Sequence, residues 1–245
     1  KDYVLNLEVV LPNGQIIWTG ANVLKNSTGY NLTQLLVGSE GTLGIVTKIV
    51  LRLIPLPKYD LLILVPFANL EKASEAVSAI FRAGFTPSGL ELVEIDALKI
   101  VSKMVDSHAV PITDDIAAHL IIEVDGNDME VLMKEIEAIS ELTMEYGGGD
   151  VFFADDANQK AELWKLRKRV AEAVKLDGYT IEEDTVVPRA KLPELIKGVK
   201  EIGTKYGFRS VCYGHAGDGN LHVNILKDEM SEKQWTQEVP KGIVE

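Results

Sequence analysis

The sequence predicts an α+β chain in two parts: a short β-rich segment over residues 1–56 and a larger part over 57–245 in which strands and helices alternate. Three observations carry this. Period-two apolar runs with glycine punctuation fill the first 54 residues, the prolines of "IPLPK" interrupt the pattern at 54–58, and beyond them strand-like and helix-like periods take turns. Charge changes at the same place. The first 54 residues hold four basic side chains (Lys1, Lys25, Lys48, Arg52) and three acidic ones (Asp2, Glu8, Glu40), about +1, so nearly all of the acidity behind the net charge of −12 lies after the proline pair.

The first element is the strand "YVLNLEVVL", which Pro12-Asn13-Gly14 turns into a second strand, "QIIWTG"; "GIVTKIVLRLI" supplies a third. Beyond the boundary "LLILVPF" reads as a strand, "NLEKASEAVSAIFRAG" as a helix with Asn69 as its cap, "PSGLELVE" as a strand and "IDALKIVSKMV" as a helix. The strand "AHLIIEVDG", the helix "DMEVLMKEIEAISELTMEYGG" and the strand "DVFFA" follow. With the "IDALKIVSKMV" helix set aside, the order is β-α-β-β-α-β, the split βαβ or ferredoxin-like arrangement. A helix at 157–176, the extended "YTIEEDTVVP", a helix at 190–206, strands at 209–215 and 220–226, and the opening of a helix in "SEKQWTQEVPKGIVE" complete the chain.

Composition narrows the function classes. With 46% apolar and 25% charged residues the chain can build a core. The charge of −12 disfavours nucleic acid, whose phosphate backbone is bound by clustered Lys and Arg. No run approaches the ~20 apolar residues of a membrane span. The single cysteine, Cys212, excludes an intrachain disulfide and sits in the apolar "SVCYG", which implies a buried, inert thiol. Together with the lack of a signal-type opening it favours the cytoplasm, with a peripheral membrane position left open. The chain begins without Met and inside a strand pattern, which implies a fragment of a longer protein.

Three stretches could carry chemistry. In "YGHAGDGNLHVNI", residues 213–225, Leu221, Val223 and Ile225 alternate with His222 and Asn224, so a strand places that polar pair on one face. His215 ends the preceding strand, and "AGDGN" turns the chain back beside it. Both imidazoles can then approach one point, as a divalent metal requires, although a polar hairpin with merely partnered histidines is an equal reading and a metal needs a third ligand. In "GSEGTLGIVTK" Gly38, Gly41 and Gly44 recur every third residue, a spacing that lets backbone approach a ligand but differs from the dinucleotide fingerprint, and that a tight loop explains as well. In "ELWKLRKRVAEAV" the residues Leu163, Leu166, Val170 and Val174 form a helical stripe with Trp164 and Arg167 beside it; Arg is suited to a carboxylate, while a solvated surface role is the default for any one helix arginine. His108 and His119 have no such context and receive no role.

Taken together these stretches resemble one family. "GSEGTLGIVTKIVLRLIPLP" is similar to the end of the FAD-binding domain of the vanillyl-alcohol oxidase type of flavoproteins, and "YGHAGDGNLHVNI" to the signature of their C-terminal substrate, or cap, domain. With "LWKLRKRV" and "DTVVPRAKLPELI" between them, the whole chain resembles the D-2-hydroxyacid dehydrogenase branch, which includes D-lactate dehydrogenases, D-2-hydroxyglutarate dehydrogenases and the FAD subunit of glycolate oxidase. The resemblance implies that residues 1–56 close a FAD-binding α+β domain and that 57–245 form the ferredoxin-like substrate domain. It implies oxidation of a D-2-hydroxy acid to the 2-oxo acid by hydride transfer to FAD, with electrons leaving to a quinone, cytochrome or electron-transfer protein, and partner subunits in some cases. By the same resemblance Gly38, Ser39, Glu40, Gly41, Thr42 and Ile45 touch the flavin cofactor, and Arg167 and Asn224 contact substrate. His215 and His222 ligate a divalent metal, commonly zinc, and His222 belongs to the catalytic machinery.

Departures from the pattern are also legible. The glycine-rich pyrophosphate loop and a downstream Glu-His-Gly motif, with the third metal ligand and a catalytic histidine, have no counterpart in these 245 residues, so the chain alone is expected to be inactive. Glu182 stands where some relatives carry a substrate-holding lysine, which implies a different substrate or an Arg167 that works without that partner. Two other readings compete: a metal-dependent phosphoesterase, prompted by "GDGN" near histidine, and a non-catalytic subunit-interaction domain.

Overall fold

The computed structural model describes residues 1–104, 110–154 and 156–245. Its residues divide into two units, Lys1–Leu56 and Pro57–Glu245.

In the first unit the strands Val4–Val10 (β1), Ile16–Trp18 (β2) and Ile45–Leu51 (β3) form an antiparallel sheet in the order β2-β1-β3. The β1–β2 turn is set by Gly14 with φ 83° and by Asn13, whose side-chain oxygen accepts from the Gln15 amide. The helix Leu32–Leu36 (α1), capped by Asn31, precedes the glycine loop and was not visible in the sequence pattern. Its Leu36 packs with Leu7 and Val9, a small core for 56 residues. Ile45, Val46, Ile49 and Leu51 of β3 are exposed.

The second unit is a sheet sandwiched between helices. Its elements are Tyr59–Phe67 (β4), Leu70–Arg82 (α2), Gly89–Glu94 (β5), Ile95–Val101 (α3), Ala118–Gly126 (β6), Met129–Glu145 (α4), Phe152–Ala154 (β7) and Ala157–Asp177 (α5). There follow Thr180–Val186 (β8), Leu192–Tyr206 (α6), Arg209–Gly214 (β9), Asn220–Leu226 (β10), Glu232–Gln237 (α7) and Val239–Val244 (α8). Among the described residues the strands lie in the order β7-β4-β6-β5-β9-β10-β8, every neighbouring pair antiparallel. The run β7-β4-β6-β5 is the ferredoxin-like sheet read from the sequence. β9, β10 and β8 extend that same sheet from the outer edge of β5, a continuation the sequence did not reveal.

Packing on both faces explains why β4 and β6 read as unbroken apolar runs rather than alternating ones. One face of Ile63, Val65, Leu120 and Ile122 meets α2, α4 and α6, while the other, with Leu62, Leu64 and Ile121, meets α3 and α5. Each such side chain removed from water contributes roughly 1.5–3 kcal/mol. Caps fix the helix starts: Asn69 accepts from the Lys72 amide, Asp128 from Glu130 and Val131, and Asp156 from Asn158 and Gln159. α3 stops at Val101, short of the sequence expectation, and His108 lies outside the described residues. The stripe Leu163, Leu166, Val170 and Val174 of α5 is buried, and Arg167 is buried beside it. Among the described residues no helix is long and apolar enough to cross a membrane.

Candidate active site

Cross-strand register builds one polar face on the larger sheet, because directly opposed residues of an antiparallel pair project to the same side. His222 of β10 lies opposite Tyr213 of β9 and Asp184 of β8, and Asn224 lies opposite Glu182. The expected alternation in "LHVNI" therefore holds. Leu221, Val223 and Ile225 pack on one side, yet the other side is covered too, and Asn224 is fully buried. α5 crosses this polar face and lays the Arg167 guanidinium over the Tyr213 ring, 5.6 Å from its centroid.

Arg167 is 10% exposed at its side chain, so it is not a solvated surface arginine. Its Nε and Nη2 both lie 2.8 Å from Oε2 of Glu91 on β5, a carboxylate that is itself only 8% exposed. The other oxygen of Glu91 is 2.6 Å from Nδ1 of His215. The His222 ring stacks on that of Tyr213 at 5.4 Å between centroids, and Asn224 donates from Nδ2 to the Tyr213 hydroxyl at 3.1 Å. Burial, aided by the nearby Glu182 charge, pushes that hydroxyl up to about 12, so it stays protonated. Nδ1 of His222 stands 3.0 Å from Glu182 and 3.7 Å from Asp184, within ion-pair range but without hydrogen-bond alignment. Glu182 is also paired with Lys175 at 2.8 Å, and Asp184 accepts from Asn220 Nδ2 at 2.7 Å.

The sheet opens at one point on this face. β5 and β9 are in register through Leu92↔Gly214 and Val93↔Tyr213, after which the chain leaves β9 at His215 and turns through a single 3-10 turn, Ala216–Asp218. Gly219 closes the turn with φ 76°, and a Cβ there would lie 2.0 Å from the Val187 carbonyl, so glycine is required. The Asn220 amide donates to the His215 carbonyl across the turn, while its side chain reaches to Asp184 and to the Thr185 carbonyl of β8. The gap is a cleft of about 400 Å³ lined in part by Glu91, Trp164, Arg189, His215 and Asp218. Trp164 is fixed there by its indole N–H on Glu123 at 2.9 Å, and the Arg189 guanidinium lies 3.8 Å from the Phe81 ring centroid.

The divalent-metal site expected at His215 and His222 finds no support. Among the described residues no group of three His, Cys, Asp or Glu side chains could hold a metal ion. Each imidazole instead turns Nδ1 to a carboxylate of its own strand neighbourhood, His215 to Glu91 and His222 to Glu182. The residue that sequence reasoning missed is Glu91. Its one signal is a carboxylate in the middle of the otherwise apolar "GLELV", where a buried charge requires a partner.

In the first unit the glycine loop has a built shape. Gly38, Glu40 and Gly41 take φ of 91°, 51° and 78°, and the Thr42 amide and hydroxyl both donate to the Ser39 carbonyl. A Cβ on Gly44 would strike Val9 and the Val10 carbonyl, at 2.6 and 2.9 Å. Gly38, Ser39, Glu40, Gly41 and Ile45 line an apolar recess of about 390 Å³ with Val4, Leu7 and Leu36; Thr42 braces the loop from outside that lining. Such a recess, apolar on one side and bare backbone on the other, fits a flat ring system such as a flavin.

The family of FAD linked oxidases, C-terminal domain, matches residues 56–240. The chain belongs to that family. This FAD-linked oxidase chain is 37% identical over 243 residues to the D-lactate dehydrogenase of Anaerostipes hadrus, covering 98% of the chain and 51% of the relative. It is 37% identical over 234 residues to glycolate oxidase subunit GlcD of Bacillus subtilis, covering 93% of the chain and 48% of the relative. A crystal structure of p-cresol methylhydroxylase with substrate bound shares the fold, with a TM-score of 0.74 at 15% identity over 99% of this chain and 54% of that one. The FAD-linked oxidase chain thus spans about half the length of the curated relatives it matches.

Proposed function

We propose that the protein to which this chain belongs oxidises a small D-2-hydroxy acid, of glycolate or D-lactate size, to the 2-oxo acid. The observation that best supports this is the buried Arg167 guanidinium on the sheet face that carries His222 and Asn224, in a chain similar over nearly its whole length to a D-lactate dehydrogenase and a glycolate oxidase subunit. A planar, permanently charged fork in a sheltered place suits a carboxylate.

The oxidation removes one hydrogen from the α-carbon as hydride and the hydroxyl hydrogen as a proton. FAD, when bound, supplies the acceptor for the hydride. Gly38, Ser39, Glu40, Gly41 and Ile45 are the residues we assign to its ring, with Thr42 holding their loop. Arg167 binds the substrate carboxylate. His222 takes the hydroxyl proton at Nε2, and the carboxylates of Glu182 and Asp184 beside Nδ1 stabilise the imidazolium that results. Asn224, whose Nδ2 holds the Tyr213 hydroxyl beside His222, is the further polar residue we assign to the substrate's surroundings. The electrons leave to a quinone, cytochrome or electron-transfer protein. Because the chain spans about half of its relatives, it is expected to show no turnover by itself. Phosphoester hydrolysis is not favoured, since the relatives are named as a dehydrogenase and an oxidase subunit and no three-ligand group stands among the described residues.

The test is anaerobic mixing of the longer, FAD-loaded protein with glycolate and D-lactate. Bleaching of the visible flavin band by one of them is expected, and no bleaching by any 2-hydroxy acid would overturn the assignment. Arg167→Ala should raise KM by roughly 10- to 150-fold, the equivalent of ~1.5–3 kcal/mol for a lost charge-assisted hydrogen bond; an unchanged KM would remove Arg167 from the carboxylate.

A further inference from the structure

We propose that Glu91 is a positioning residue, one carboxylate that holds His215 in a single tautomer and Arg167 in a single orientation across the opening of the sheet. This rests on the hydroxy-acid assignment of the same site for its purpose, though not for its geometry.

The physical case begins with the place of Glu91. It lies on β5 between Leu90 and Leu92, which are buried, and it is 6% exposed. A carboxylate so placed must be satisfied at both oxygens. Oε2 accepts from Nε of Arg167 and is ion-paired with its Nη2, and Oε1 lies 2.6 Å from Nδ1 of His215. Paired with an arginine, the carboxylate acts as an acceptor, so the proton between it and His215 belongs to Nδ1 and the lone pair of the imidazole is left on Nε2. Among the described residues the His215 side chain has no other hydrogen bond, and it is 57% exposed, so without Glu91 its ring and tautomer would be unconstrained.

The bridge also continues the sheet where the backbone ladder stops. The β5–β9 register runs to Leu92↔Gly214, and the next contact across the widening gap is Glu91 with His215. One carboxylate thereby ties a buried guanidinium to an imidazole that lines the cleft. A buried ion pair that served folding alone would need neither His215 nor a fixed tautomer.

The experiment uses this chain labelled with ¹⁵N-histidine, whose four imidazoles give a simple long-range ¹H–¹⁵N spectrum, recorded at about pH 8, above the ordinary imidazole range. His215, assigned with His215→Gln, is expected as the Nδ1–H tautomer. In Glu91→Gln it should revert toward the Nε2–H form that a solvated ring prefers, and Glu91→Asp should restore part of the Nδ1–H signal. A wild-type His215 in the Nε2–H form overturns the proposal even if every variant fails to fold, and so does a tautomer unchanged in Glu91→Gln. In the longer FAD-loaded protein, Glu91→Gln should lower kcat/KM for the hydroxy acid by roughly 10- to 100-fold, as for other orienting partners. A tautomer that responds to Glu91 in a protein that oxidises no hydroxy acid would keep the positioning role and sink the proposed activity instead.

Discussion

His119 sits on β6 with both ring nitrogens buried and without a hydrogen-bond partner. Desolvation lowers its imidazole to about 4, against an ordinary value of 6.5. The folded state therefore keeps His119 neutral through a range in which the unfolded chain takes up a proton. Stability is fully present above the ordinary value and falls as pH drops from 6.5 toward 4, by about 3 kcal/mol in all. Urea midpoints measured across that interval should show this slope, and His119→Leu should flatten it; an equal slope in the variant would place the acid sensitivity elsewhere. Cys212 is the opposite kind of silent residue. Burial pushes its thiol up to about 12, which fits the inert sulfur expected from "SVCYG". Much of the candidate site was legible at this scale, because the alternation of His222 and Asn224 against Leu221, Val223 and Ile225 is local. Glu91 was not, since its partners Arg167 and His215 lie 76 and 124 residues away and nothing near "GLELV" announces them.

At the scale of elements, the turn between β9 and β10 places His215, and Gly219 is its constraint. Gly219→Ala should cost at least about 2 kcal/mol, because a side chain there must take a left-handed conformation and displace the Val187 carbonyl. Gly198→Ala on α6, where a Cβ meets open space, should instead stabilise by roughly 0.5–1 kcal/mol. Equal urea midpoints for the two variants would contradict the crowding at Gly219. The elements that sequence periodicity found are those whose packing repeats along the chain, such as the α5 stripe and the α2 helix with Asn69 at its start. It found β4 to β7 and their ferredoxin-like order for the same reason. That β9, β10 and β8 join this sheet depends on Leu92 meeting Gly214, a pairing across 122 residues that leaves no local mark. α1 escaped notice because five residues are too few for a helical period to show.

For the whole molecule, the division into two units implies two levels of stability. The first unit gathers Leu7, Val9 and Leu36 at its centre, whereas the second has an apolar layer on each side of its sheet. Trp18 reports on the first unit, and Trp164 and Trp235 on the second. With single-tryptophan variants, the fluorescence of Trp18 should change at lower urea than that of Trp164, and coincident curves would mean that the two unfold together. The β5–β9 junction has a further consequence during synthesis. Once residue 154 has left the ribosome, β4 to β7 can pair, but the outer edge of β5 stays open until β9 is made, a wait of some 55 residues between Ala154 and Arg209. The nascent protein thus carries an unpaired strand edge, with Glu91 on it, while those residues are added. A chain interrupted in that interval exposes a template for mispairing and has no His215 or His222 with which to form the site.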